Sequence, residues 1–219
     1  VNRDIIDVPL IFNRALNVDW RPDWRGQPPA EGTDGSEQVV YNRMPRFVGA
    51  PSLVFPPAMI GAWRALILRG EGRVNAYRMR MVDPAVFDLG GADDWSRQWR
   101  AYQGGMWVEP RPQITCPAGA AAGATSIVVD ERAAPRPIPV GSYLSHNDWP
   151  FAVVGRSGSG TATTLQVKML RRAIPPGAAI DLLARGLFIG GSDAMGLPEY
   201  GLDRVARPQL DLMEWINRS

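Results

Sequence analysis

The chain has 219 residues, of which 45% are hydrophobic and 21% charged, with 24 basic residues against 22 acidic ones. A chain this long makes one large or two small domains and buries roughly 70% of its unfolded surface, so it needs no covalent staples. The composition excludes disorder of the whole chain, and a formal net charge of +2 gives no reason to expect nucleic acid or an anionic membrane as a partner.

Nearly all the positive charge is arginine, Lys168 being the single lysine. Arginine suits carboxylates and protein interfaces, but with abundant Ala, Gly and Pro the bias is accounted for more simply by a GC-rich genome. Cys116 is the single cysteine and His146 the single histidine. An internal disulfide is therefore impossible, and the common zinc, haem and iron–sulfur arrangements lack their ligands, so no metal and no cofactor is expected. No apolar run reaches membrane-spanning length, and residues 1–12 lack a signal-peptide pattern, which fits synthesis in the cytosol.

Twenty-three glycines and 20 prolines are scattered throughout, leaving little room for long helices. Residues 5–12 begin apolar and then alternate, as a half-buried strand does. Residues 21–37 are rich in Pro, Gly and Asp and read as a loop. Short strands follow over 38–58, punctuated by Pro45, Pro51 and Pro56. Residues 59–69 fit a short helix or a strand, and periodicity does not choose between them. Residues 73–82 alternate as a strand whose register changes sides near Tyr77, which suggests a bulge. Residues 83–105 read as a Gly/Asp/Trp-rich connector, and 106–114 as a further strand broken by Pro110 and Pro112.

After the Ala/Gly-rich stretch 117–123 the pattern sharpens. Strands are predicted at 125–130, 139–145, 149–154, 163–170 and 179–183, separated by turns. Five short strands in so small a span are buried most economically by a closed or half-closed barrel. The last segment has strand candidates at 187–189 and 210–216 and is expected to return to the first domain. The predicted plan is mainly β, with 1–116 and 186–219 forming one domain and 117–185 an inserted barrel.

Candidate chemistry is sparse. Ser145, His146 and Asp148 lie together in a polar turn, but neighbours in a turn do not usually converge, and no nucleophile elbow is present. The Gly158-Ser159-Gly160 segment fits neither a P-loop nor a dinucleotide fingerprint and reads as a hairpin loop. Asp93, Asp94 and Glu109 are the carboxylates a glycosidase reading would use, with Trp95 and Trp99 nearby. A solvated loop with aromatic anchors is the simpler reading. Cys116 reads as a small buried hydrophobe. Arg171 and Arg172, after a strand, serve either an acidic partner surface or edge solubility.

From residue 119 the chain resembles a segment common in tail proteins of long, flexible-tailed phages. The residues that carry the likeness are Ala122-Gly123-Ala124-Thr125-Ser126-Ile127-Val128-Val129, Val140-Gly141-Ser142-Tyr143-Leu144-Ser145, Phe151-Ala152-Val153-Val154, Leu165-Gln166-Val167 and Leu170-Arg171-Arg172. With Trp107 and the Gly104-Gly105 turn it covers about 90 residues. Lys168-Met169-Leu170-Arg171-Arg172 stands where the family pattern carries two prolines, and the first 90 residues match no motif. The resemblance implies a distal tail protein or a related minor tail-tip protein. In that family a β-sandwich domain forms a ring, usually a hexamer, and an inserted OB-like barrel projects outward. The implied partners are further copies of the chain, the tail tube protein and the hub or baseplate protein, with a host surface glycan as a further candidate. The implied location is the virion tail tip, assembled in the host cytoplasm. No catalytic residues carry over, so the chain is expected not to be an enzyme. Trp95, Trp99, Trp107, Arg171 and Arg172 are the candidate interface residues, since Trp and Arg are typical anchors. The alternative is a carbohydrate-binding β module presenting Trp95, Trp99 and Trp107. A weaker one is a glycan hydrolase using Asp93 or Asp94 with Glu109.

Overall fold

The computed structural model describes residues 3–13, 15–26, 30–31, 37–38, 45–83, 86 and 92–218. The strands begin with β1 Ile5–Asp7, β2 Ala15–Asn17, β3 Trp20–Asp23, β4 Ala30–Glu31, β5 Glu37–Gln38, β6 Arg46–Gly49 and β7 Ser52–Leu53. Helix α1 Pro57–Gly70, strand β8 Ala76–Arg80 and helix α2 Ala92–Gln103 follow. Next come β9 Gln113–Cys116, β10 Ser126–Val129, β11 Tyr143–His146, β12 Trp149–Ser157, β13 Thr163–Lys168 and β14 Ala178–Asp181. The last two strands are β15 Arg185–Gly190 and β16 Leu212–Glu214. The protein is mainly β.

The first large sheet has the order β1-β8-β15-β16-β6-β3, and only β1 and β8 run parallel. Its core combines Ile6, Phe47, Tyr77, Met79 and Phe188 with residues from both helices. Helix α1 starts with Pro57 in its first turn, where the missing N–H costs nothing, and buries Met59, Ile60, Trp63, Leu66 and Ile67 along one stripe. It ends where Glu71 turns left-handed at φ 50° and donates its N–H to Leu68 O. This settles 59–69 as helix.

Three other expectations are corrected by the backbone. The connector expected over 83–105 contains α2, which brings Trp99 and Tyr102 onto Phe12. The bulge expected near Tyr77 is absent. β8 keeps unbroken register with β1 and β15, and four of its five residues are buried, so both of its faces are covered. Within the loop expected over 21–37, Trp20–Asp23 pairs with β6, and Ala30–Glu31 pairs with Glu37–Gln38. The apolar residues Val39, Val40 and Tyr41 lie outside the described residues.

The second large sheet, order β10-β13-β12-β11-β14-β9, is antiparallel throughout. Its ends approach through a Thr115–Asp130 bridge, in which the Asp130 N–H donates to Thr115 O at 2.8 Å, so the sheet is a nearly closed barrel. Alternate residues fill it, among them Ile114, Cys116, Ile127, Val129, Phe151, Leu165, Val167 and Ile180. All five strands anticipated after residue 117 are present. The sixth, β9, comes from the stretch read as 106–114 and pairs with β14, whereas residues 106–112 are irregular. Because β8 precedes the barrel and β15 follows it, and these two pair directly, the barrel is inserted into the first sheet.

Candidate functional site

The distinctive chemistry lies where the barrel meets the first sheet. Asn147 and Asp148 link β11 to β12 with φ of 48° and 64°, the two left-handed residues that a tight hairpin turn requires. That turn carries the buried Asp148 carboxylate toward the first sheet. It accepts from Arg78 Nε at 3.0 Å and from Arg185 Nε. Arg78 also donates to Asp7 at 2.7 Å. The next arginine on β8, Arg80, is almost fully buried and donates to Glu109 at 2.9 Å and to Leu183 O at 3.0 Å. Its Nη1 is also 4.0 Å from Asp181 on β14.

A second seam lies after β13. The Arg171 side chain is 6% exposed and that of Glu214, on β16, 0%. The two form a bidentate pair, with bonds of 2.7 and 2.5 Å. Glu214 also accepts the Phe47 N–H at 2.8 Å, and Arg171 donates to Pro45 O at 2.8 Å. Burial pushes the Glu214 carboxyl above its ordinary value, against the pull of Arg171. The Trp149 ring sits among Arg171, Arg172 and Arg218, at 5.5, 4.8 and 3.9 Å. Burial draws the Arg218 guanidinium down to about 10, against Glu214 and Asp148, so it is charged at neutral pH. Tyr143 joins the units once more, its hydroxyl donating to Trp20 O at 3.0 Å.

Beside the Asp148 turn is a cleft of about 360 Å³ lined by Asp7, Val8, Arg78, Arg80, Glu109, Arg111 and Arg185. Sheet register explains the convergence. Arg80 pairs with Arg185 and Arg78 with Asp7, while Arg78 and Arg80 are two residues apart, so all four project from one face.

The sequence-predicted residues scatter. Trp99 is buried, stacked on Tyr102 at 5.4 Å, so it belongs to the core and cannot form an exposed platform. Trp107 is half-buried against Tyr102, Leu10, Val82 and Leu183. The side chains of Asp93, Asp94 and Trp95 lie outside the described residues. Arg171 is an internal clamp, whereas Arg172 is exposed and donates to Arg218 O at 3.2 Å. Glu109 is engaged by Arg80 and by the Leu10 N–H. Ser145, His146 and Asp148 are each held by different groups. Ser145 Oγ accepts the Arg185 N–H at 2.8 Å, and His146 Nδ1 lies 2.9 Å from Ala179 O. Cys116 is sealed inside the barrel, and burial pushes its thiol up. Among the described residues no group of three His, Cys, Asp or Glu could hold a metal ion, and no helix is long and apolar enough to cross a membrane.

Sequence reasoning missed the charge role of Asp148 and the group Arg78, Arg80, Arg111 and Arg185. The one available signal was the spacing Arg78-Met79-Arg80, which places two arginines on the same face of a strand. No protein-family model matches this chain, and no curated protein matches it either.

Proposed function

We propose that this chain is a non-enzymatic structural component of a phage or phage-like tail tip. It forms a ring that joins the tail tube to the hub or baseplate. In this reading the first sheet with its helices is the ring-forming, sandwich-type unit, and the inserted barrel is the OB-like unit.

The observation that carries it is the insertion of a separately cored barrel between β8 and β15, locked to the first sheet by buried ion pairs. A rigid two-part body of this kind suits a protein whose task is to hold position. The segmental likeness from residue 119 onward supports the same reading. Met106 and Val108 are 77% and 85% exposed and Leu202 is fully exposed, apolar groups that a subunit interface would cover. Arg172, poised over Trp149 at the surface, remains a candidate contact, and so does Trp107.

Light scattering of the purified protein at several concentrations tests the reading, with a hexamer or another ring-sized species expected. A monomer at every concentration, alone and with the tail tube protein, would overturn it.

A further inference from the structure

We infer that the cleft at the sheet–barrel junction is a binding site for an oxyanion, such as a phosphate or a carboxylate group. Unpaired arginine donors mark the site, whatever the chain's role in a tail tip. A guanidinium offers five N–H donors and no acceptor. Arg78 uses Nε on Asp148 and Nη1 on Asp7, leaving Nη2 without a hydrogen bond among the described residues. Among the described residues Arg185 uses its side chain only through Nε, on Asp148, leaving both terminal nitrogens. Arg111 is exposed and has neither a hydrogen bond nor an ion pair among the described residues. All three line the same cleft of about 360 Å³.

The acids of the region are already engaged. Asp7 accepts from Arg78, Asp148 from Arg78 and Arg185, and Glu109 from Arg80 and the Leu10 N–H. They hold the guanidinium groups in place, and among the described residues the remaining donors of Arg78, Arg111 and Arg185 have no protein acceptor, although the half-used Asp7 carboxylate also lines the cleft. Arg78 and Arg185 keep 28% and 20% of their side chains exposed, so these donors are partly desolvated and pre-positioned. A ligand with several acceptor oxygens and negative charge complements that set. Since arginine keeps its proton at any physiological pH, binding should weaken as ionic strength rises, and any dependence on pH should follow the ligand's own ionisation.

The cleft's volume admits either a free anion or a carboxylate carried on a neighbouring protein. Isothermal titration calorimetry of the full chain with inorganic phosphate and, separately, with a hexaglutamate peptide distinguishes them. Arg111→Ala is the variant and Arg136→Ala, an exposed arginine elsewhere, the charge-matched control. Saturable phosphate binding, weakened about tenfold or more by Arg111→Ala but not by Arg136→Ala, would show a site for a free oxyanion. Binding of the peptide alone, with the same dependence on Arg111, would show a socket for a partner's acidic side chains. Binding of neither, or equal weakening by both variants, would overturn the inference. Because Arg111 is exposed and makes no contact that the fold relies on, its variant should unfold at the wild-type temperature.

Discussion

Asp148 stands where a hairpin turn would be better served by glycine, and its carboxylate accounts for the exception. Asp148→Gly should ease the turn yet leave Arg78 and Arg185 without their shared anion. Asp148→Asn keeps a residue that tolerates the left-handed conformation and removes only the charge. It should lower the unfolding free energy by about 2 kcal/mol in urea titrations, and an unchanged midpoint would mean that the pairs contribute nothing. Arg171→Met leaves Glu214 buried and unpaired and should cost about 4 kcal/mol, most of it recovered by adding Glu214→Leu. Simple additivity of the two costs would exclude the coupling.

Two buried acids respond to pH in opposite senses. Glu214, pushed up by burial, binds a proton more readily folded than unfolded, so its contribution to stability falls as pH rises above 4.5, its ordinary value. Glu131 is also drawn up by burial, but the polar groups around it, among them Arg156, which donates to it, outweigh that and hold it low. The melting-temperature gap between wild type and Glu131→Gln should therefore be full above 4.5 and close as pH falls through the lower folded value. A gap constant down to acid pH would refute this. Adjacent arginines 171 and 172 look alike in sequence, yet past the end of β13 one is internal, paired with Glu214, and the other is exposed at a bend.

Among the elements, the barrel strands were legible because they alternate cleanly, with one side filling a core and the other meeting water. β8 misled for the opposite reason. Its arginine face is buried by ion pairs and its apolar face by helices, so polarity no longer marks direction. Helix α2 was hidden by its polar composition, although Trp99 and Tyr102 stand one helical turn apart. β9 was obscured by Pro110 and Pro112 just before it. In α1, Gly70 looks like a weak point that alanine should strengthen. A Cβ there would come 1.8 Å from the Tyr77 hydroxyl, so Gly70→Ala should destabilise by about 2 kcal/mol or more despite its better helix propensity. Thermal denaturation measures this, and a gain in melting temperature would show that Tyr77 moves aside at little cost.

The molecule has two main cores, one shared by the first sheet and its helices and one inside the barrel. A fragment spanning 112–183 should therefore unfold cooperatively by itself, at a lower midpoint than the whole chain because the junction contacts are lost. A gradual, non-sigmoidal melt by circular dichroism would show that the barrel depends on the first sheet. That two units exist was readable from the change of pattern after residue 117. How they join was not, since Arg78 and Asp148 are separated by 70 positions and nothing local announces the pair.

The chain leaves the first unit and re-enters it at one place, because the Leu182 N–H donates to Pro112 O at 2.9 Å. Two backbone ends held that close amount to a socket. A lineage could lose the barrel, enlarge it or graft another module there by recombination, with only a short bridge needed to keep β8 and β15 paired. The surface that such a protein offers its surroundings is thus free to diversify faster than the scaffold that carries it.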